Sequence, residues 1–257
     1  MDNSTTLLLS FLFGTLWGSF FYTLALRFLD GSMKTSPREA LSSRSRCPHC
    51  EKAISPLHLV PLGGFLMVRG KCRHCGAKIS PLYPIAEIIF GLLLTLLVWH
   101  LGISLQTLVL FLLASLCISV SIIDWKSFTI PNSLVICFFV LSLYPVILQG
   151  SFKDNLFGFL FMGGFFLIIL LIFPGSWGGG DVKLAAAMGF LVGLEQAVVI
   201  LEVALISGAL GGILYALITK KGLRNKIAFG PFLSIGFVTS LIWGRDIALL
   251  YYRYISF

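Results

Sequence analysis

Residues 104–123 read SLQTLVLFLLASLCISVSII, and Asp124 closes the run ahead of Trp125-Lys-Ser-Phe-Thr-Ile-Pro-Asn132. An uncharged run of this length, at about 1.5 Å per residue, crosses a hydrocarbon core of about 30 Å. Similar apolar runs lie at about 6–28, 83–100, 131–149, 156–173, 182–194, 196–219 and 230–250. With 57% hydrophobic and only 12% charged residues among 257, an ordinary soluble domain is excluded. The expected fold is an all-α integral membrane protein with about eight transmembrane helices.

One division needs its own argument. As a single straight helix, Asp181 to Thr219 would measure about 58 Å, roughly twice the hydrocarbon thickness. A break is therefore expected between Gly193 and Gln196.

The net charge of +8 raises the question of nucleic acid. Its placement answers against it. Lys34, Arg38, Arg44, Arg46, Lys52, Arg69, Lys71, Arg73 and Lys78 lie between the first two spans, and Lys220, Lys221, Arg224 and Lys226 lie before the last. Basic loops stay cytoplasmic, so topology accounts for this charge and no nucleic-acid partner is expected. The run from Thr6 to Leu26 lacks a basic start and carries its positive charge afterwards, so it reads as a retained anchor with its N-terminus outside. Counting crossings from there puts segments 29–82, 124–130, 174–181 and 220–229 inside. Asp124 and Asp181 then share the cytoplasmic face.

The first loop holds Cys47-Pro-His-Cys50 and Cys72-Arg-His-Cys75. Two CxxC turns can bring four thiolates to one ion in a closed tetrahedral shell, which suits structural zinc. Disulfides are the alternative, disfavoured by a reducing cytoplasm, and an iron–sulfur cluster is a minor one. His49 and His74 sit inside the knuckles and are expected to be exposed. Cys117 and Cys137 lie in apolar spans and are expected to be buried.

Asp124 ends one span, and Asp181 opens another in Gly178-Gly-Gly-Asp-Val-Lys-Leu184. Singly, each has a plain structural reading: a solvated helix end for Asp124, and a cap for a helix starting at Val182 for Asp181. As a pair on one side they suit aspartyl chemistry. Two carboxyls within hydrogen-bonding reach cannot both ionise cheaply, so one keeps a proton and the other accepts one, dividing acid from base. Gly178 and Gly180 leave room for a substrate strand beside Asp181. The four histidines suggest no Ser–His or Cys–His pairing. Glu87 and Glu202 lie inside spans, where a carboxylate needs a partner or a cavity.

In this order, Gly18-Ser-Phe20 with Arg27, the paired CxxC loop with Arg69-Gly-Lys-Cys72, Tyr83-Pro-Ile-Ala-Glu87, Ile123-Asp124 with Ile130-Pro131, the GxGD motif at Gly178 to Asp181 with Lys183-Leu184, and Phe229-Gly-Pro231 resemble the type IV prepilin peptidase family. Tyr22 stands where that family usually has asparagine, and Asn132 where an aspartate is common.

The resemblance implies a division into a first span (1–28), a cytoplasmic four-cysteine zinc loop (29–82) and a transmembrane aspartyl peptidase core of about seven spans (83–257). It implies an enzyme of the bacterial inner membrane that cuts leader peptides from type IV prepilins and type II secretion pseudopilins. Asp124 and Asp181 would be its catalytic pair, with Gly178, Gly180 and Lys183 as motif support and Cys47, Cys50, Cys72 and Cys75 as metal ligands. It further implies N-methylation of the new N-terminal residue with S-adenosylmethionine as donor. Two rivals from other classes are an ion-coupled transporter or channel, which places acids near the bilayer midplane, and a non-catalytic zinc-stabilised assembly scaffold.

Overall fold

The computed structural model describes residues 3–174, 177–219 and 227–255. Helices come in the order α1 (Asn3–Leu29), α2 (Ser32–Thr35), α3 (Pro37–Ser42), α4 (Gly63–Met67), α5 (Leu82–Leu101), α6 (Leu105–Ser127), α7 (Asn132–Gln149), α8 (Phe152–Ile172), α9 (Gly179–Thr219) and α10 (Gly230–Ile255). Seven of the described helices, α1 and α5 to α10, are long and apolar enough to cross a membrane. Their outward faces are apolar as well: Leu8, Ile147, Leu171, Leu217 and Ile218 are each at least 60% exposed. Water would not tolerate such a surface, and lipid requires it. The chain is a multi-pass membrane protein.

Backbone contacts divide it into two compact units, Met1–Ile103 and Ser104–Phe257. In the first, α1 packs along α5, with the Phe21 and Phe90 rings stacked at 5.9 Å. Between those helices, α2, α3, a 3₁₀ turn at Pro56–Leu59 and α4 break up the cysteine loop. Arg27 anchors it to the end of α1, its guanidinium donating to the Ser43 carbonyl at 3.0 Å.

In the second unit, α9 packs against α7, α8 and α10, and α10 against α6. The break expected in α9 falls at Gly193, whose φ of 80° and ψ of 176° are non-helical. Two neighbours on α8 close the exposed ends of the break. Asn155 donates its amide to the Phe190 and Leu191 carbonyls at 2.8 and 3.2 Å. The Asp154 carboxylate accepts the Leu194 N–H at 3.2 Å. These partners satisfy backbone groups that the break leaves without an intrahelical bond. The start of α9 differs from expectation: it begins at Gly179, not Val182, so Asp181 lies within the first turn. The basic cluster Lys220, Lys221, Arg224 and Lys226 lies outside the described residues.

Candidate active site

Asp124 occupies the last turn of α6 and is 5% exposed. Its Oδ2 accepts the Gly230 N–H at 2.9 Å, the first residue of α10. Asp181, 7% exposed, sits in the first turn of α9 and reaches back so that its Oδ2 accepts the Gly178 N–H at 2.9 Å. That is the returning half of a capping box, in which an acid of the first turn satisfies the donor just ahead of the helix. Only one of its two oxygens is used. Asp181 Oδ1 is buried with no hydrogen-bond partner in the described structure. The two donors are near one another: the residues before them, Trp177 and Phe229, pack ring to ring with centroids 5.2 Å apart.

The segments carrying these acids are tied together near the site. Lys183 Nζ donates to Asn132 Oδ1 at 3.1 Å, joining the first turn of α9 to the start of α7. Gly180 meets Ile130 closely: a Cβ on it would fall 2.8 Å from the Ile130 Cβ. A Cβ on Gly230 would lie 2.9 Å from Asp124 Oδ2. Both glycines are therefore needed for close approach of backbone to a neighbour. Within the GxGD run, Gly178 and Gly179 are exposed and carry no side chain that could cover Asp181, whereas Gly180 is taken up by Ile130. Gly230 as a carboxylate donor was not legible beforehand. The motif Phe229-Gly-Pro231 marks its place, but its role depends on folding across more than a hundred residues.

The four loop cysteines also converge. All four sulfurs lie within 4.8 Å of one another, with Cys47 to Cys75 at 3.8 Å and Cys50 to Cys72 at 4.0 Å. These separations exclude S–S bonds of about 2 Å. They match tetrahedral geometry, in which metal–sulfur bonds of about 2.3 Å set sulfurs about 3.8 Å apart. The knuckles are built alike. Cys47 N–H donates to the Lys52 carbonyl at 3.1 Å and Cys72 N–H to the Ala77 carbonyl at 2.8 Å. Each turns through a left-handed residue, Glu51 in one and Gly76 in the other.

Backbone N–H groups of Cys75 and His74 draw the Cys72 thiol down to about 6, against opposing desolvation. At Cys75 the Ala77 N–H pulls the same way, but desolvation and the thiols of Cys72, Cys50 and Cys47 prevail and push it up to about 11. Crowded thiols resist ionising together, and a bound cation relieves that conflict. The cluster can hold a metal ion. His49 and His74 are exposed as expected.

Other expectations divide. Cys117 is buried, but Cys137 is exposed on α7, because its position falls on the outward side of that helix. Both intramembrane glutamates have partners. Glu87 accepts the Leu62 N–H at 2.7 Å, while Glu202 accepts from the Tyr251 hydroxyl. Tyr22 is buried edge-on to Tyr83, with ring centroids 4.8 Å apart.

Comparison with known proteins bears on this arrangement. Residues 12–101 match the bacterial peptidase A24 N-terminal domain, and residues 111–223 match the type IV leader peptidase family. Similar curated proteins include the prepilin leader peptidase/N-methyltransferase of Bacillus subtilis, 30% identical over 95% of this chain and 96% of the relative. Those of Legionella pneumophila and Pseudomonas aeruginosa are 31% and 29% identical, covering 82% and 97% of this chain and 76% and 94% of theirs. No solved structure matches the chain.

Proposed function

Because the chain belongs to the type IV leader peptidase family, we propose that Asp124 and Asp181 together hydrolyse the leader peptide bond of type IV prepilins and type II secretion pseudopilins. The ionised carboxylate takes a proton from a water molecule as its oxygen attacks the scissile carbonyl carbon. The protonated carboxyl meanwhile donates to the carbonyl oxygen, where negative charge develops. Collapse of the resulting gem-diol returns a hydroxyl proton to the second carboxylate as C=O reforms, and expels the amine, which takes the proton held by the first acid. Both acids return to their starting states and no covalent enzyme intermediate forms.

The observation that supports this reading is that two carboxyls from distant helices are each oriented by a glycine N–H, with Asp181 Oδ1 buried and without a partner among the described residues. Their positions also favour it over a transporter: one acid lies in the last turn of α6 and the other in the first turn of α9, away from mid-helix. Both then face the cytoplasm, with the N-terminus outside, as the basic first loop favours.

Zinc is the ion proposed for Cys47, Cys50, Cys72 and Cys75, with no open coordination position and hence a structural role. The names of the relatives support a second activity, N-methylation of the new N-terminal residue, for which S-adenosylmethionine would be the donor. The purified chain is to be mixed with a synthetic precursor, with and without S-adenosylmethionine, and its products weighed by mass spectrometry. Leader release in both mixtures and a methyl increment only with the donor are expected. An intact precursor in both would sink the peptidase reading, and ion flux in liposomes abolished by Asp124→Asn would favour the transporter.

A further inference from the structure

The two N–H groups that orient the carboxyls come from two short loops, and the residue ahead of each donor is aromatic. Trp177 precedes Gly178, and Phe229 precedes Gly230. A peptide unit is planar, so the Gly178 N–H moves rigidly with the Trp177 carbonyl, and the Gly230 N–H with that of Phe229. The two rings pack against each other, with centroids 5.2 Å apart and planes inclined at 37°. Both also pack on Phe166 of α8, at 4.6 Å from Trp177 and 5.7 Å from Phe229, and Phe166 is wholly buried.

Among the described residues, the two donor peptides are held differently. Gly178 and Gly179 are exposed and have no side chains to anchor them; Gly180 after them rests on Ile130, and Trp177 before them is held by its ring. On the other side, the Phe229 carbonyl accepts the Phe232 and Leu233 N–H groups at 3.0 and 3.1 Å, which fixes that peptide unit at its oxygen end.

We propose that Trp177, Phe229 and Phe166 form an aromatic clasp of positioning residues, holding the two donor loops in register so that Gly178 and Gly230 serve both carboxyls at once. This rests on reading Asp124 and Asp181 as the catalytic pair. The clasp acts through the peptide planes. Its loss lets each donor swing without unfolding the helices, so the chemical step suffers more than substrate binding.

The test uses the full-length chain in detergent, with cleavage of a synthetic precursor as the readout. Trp177→Leu keeps an apolar side chain but removes the ring, and Trp177→Phe restores one. Trp177→Leu and Phe229→Leu are each expected to lower kcat about 10-fold or more, with KM within about threefold. Trp177→Phe should recover kcat to within about threefold of the parent. The double Leu variant should be no slower than the slower single, because either break releases the same clasp.

Equal activity of Trp177→Leu and Trp177→Phe, a change in KM alone, or losses that multiply in the double variant would overturn the clasp. Asp124→Asn and Asp181→Asn run alongside. If those cleave at the parent rate, the catalytic-pair reading fails and the clasp falls with it; if they are inactive while Trp177→Leu matches the parent, the clasp alone fails.

Discussion

The cysteine cluster and the aspartate site are built by opposite means. Each knuckle of the cluster closes on itself within a few residues, through the Cys47 to Lys52 and Cys72 to Ala77 backbone bonds. The loop around it has little core: of the residues from Leu41 to Arg69, only Cys47 and Gly64 are buried. A bound ion would supply much of its folding energy. At the aspartate site nothing is local except the return of Asp181 to Gly178. Asp124 takes its donor from α10, Gly180 leans on Ile130, and Lys183 reaches Asn132. Contacts between distant segments hold this site, and their loss should govern its failure.

Metal removal should therefore separate the two most sharply. A structural tetrathiolate zinc can contribute on the order of 10 kcal/mol to local folding. Chelation, or Cys72→Ser, should release the ion and open the loop to protease, while α6, α9 and α10 stay protected. Zinc analysis with limited proteolysis checks this; unchanged zinc content in Cys72→Ser would remove the metal assignment.

A smaller effect is expected from crowding the aspartate site. Gly230→Ala sets a methyl 2.9 Å from Asp124 Oδ2. Overpacking of this kind costs about 1–3 kcal/mol of stability, and an angstrom of displacement at reacting groups can cost about 100-fold in rate. Kinetics beside a thermal unfolding curve would show kcat falling far more than stability. Loss of zinc in this variant would break the separation drawn here.

The smallest effect is expected at Asn132. Replacing it by aspartate, the residue common in the family, turns the 3.1 Å bond from Lys183 into an ion pair on an exposed surface. Such pairs are worth about 0–1 kcal/mol. Cleavage by Asn132→Asp should match the parent or slightly exceed it, whereas Asn132→Leu should lower it a few-fold. A large loss in Asn132→Asp would show that the amide does more than hold Lys183.

What could be read in advance follows the same division. The cysteine spacing foretells a four-sulfur cluster because the geometry is local and repeated. Span lengths foretell the break at Gly193, since an unbroken helix would overrun the bilayer. Asp124 and Asp181 are visible as acids at span ends.

Their partners are not visible in that way. The Gly230 donor, the Ile130 contact and the Asp154 and Asn155 caps depend on which faces of distant helices meet, and periodicity along one helix carries no record of that. Glycines ahead of an acid read as loop, which sets the expected start of α9 at Val182, whereas Asp181 closes a helical turn over them and the helix begins at Gly179. Cys137 faces outward for a related reason: in a helix apolar all round, composition does not say which side is the core.

The central claim is that both carboxyls are required together. Its most direct test is the rate of leader release, followed by mass spectrometry, for Asp124→Asn, Asp181→Asn and the double variant, with zinc content and helicity equal to the parent. Each single variant should lose about 1,000-fold or more, and the double should be no slower, since one acid without the other cannot divide the proton. Leader release at the parent rate by either single variant would contradict the account.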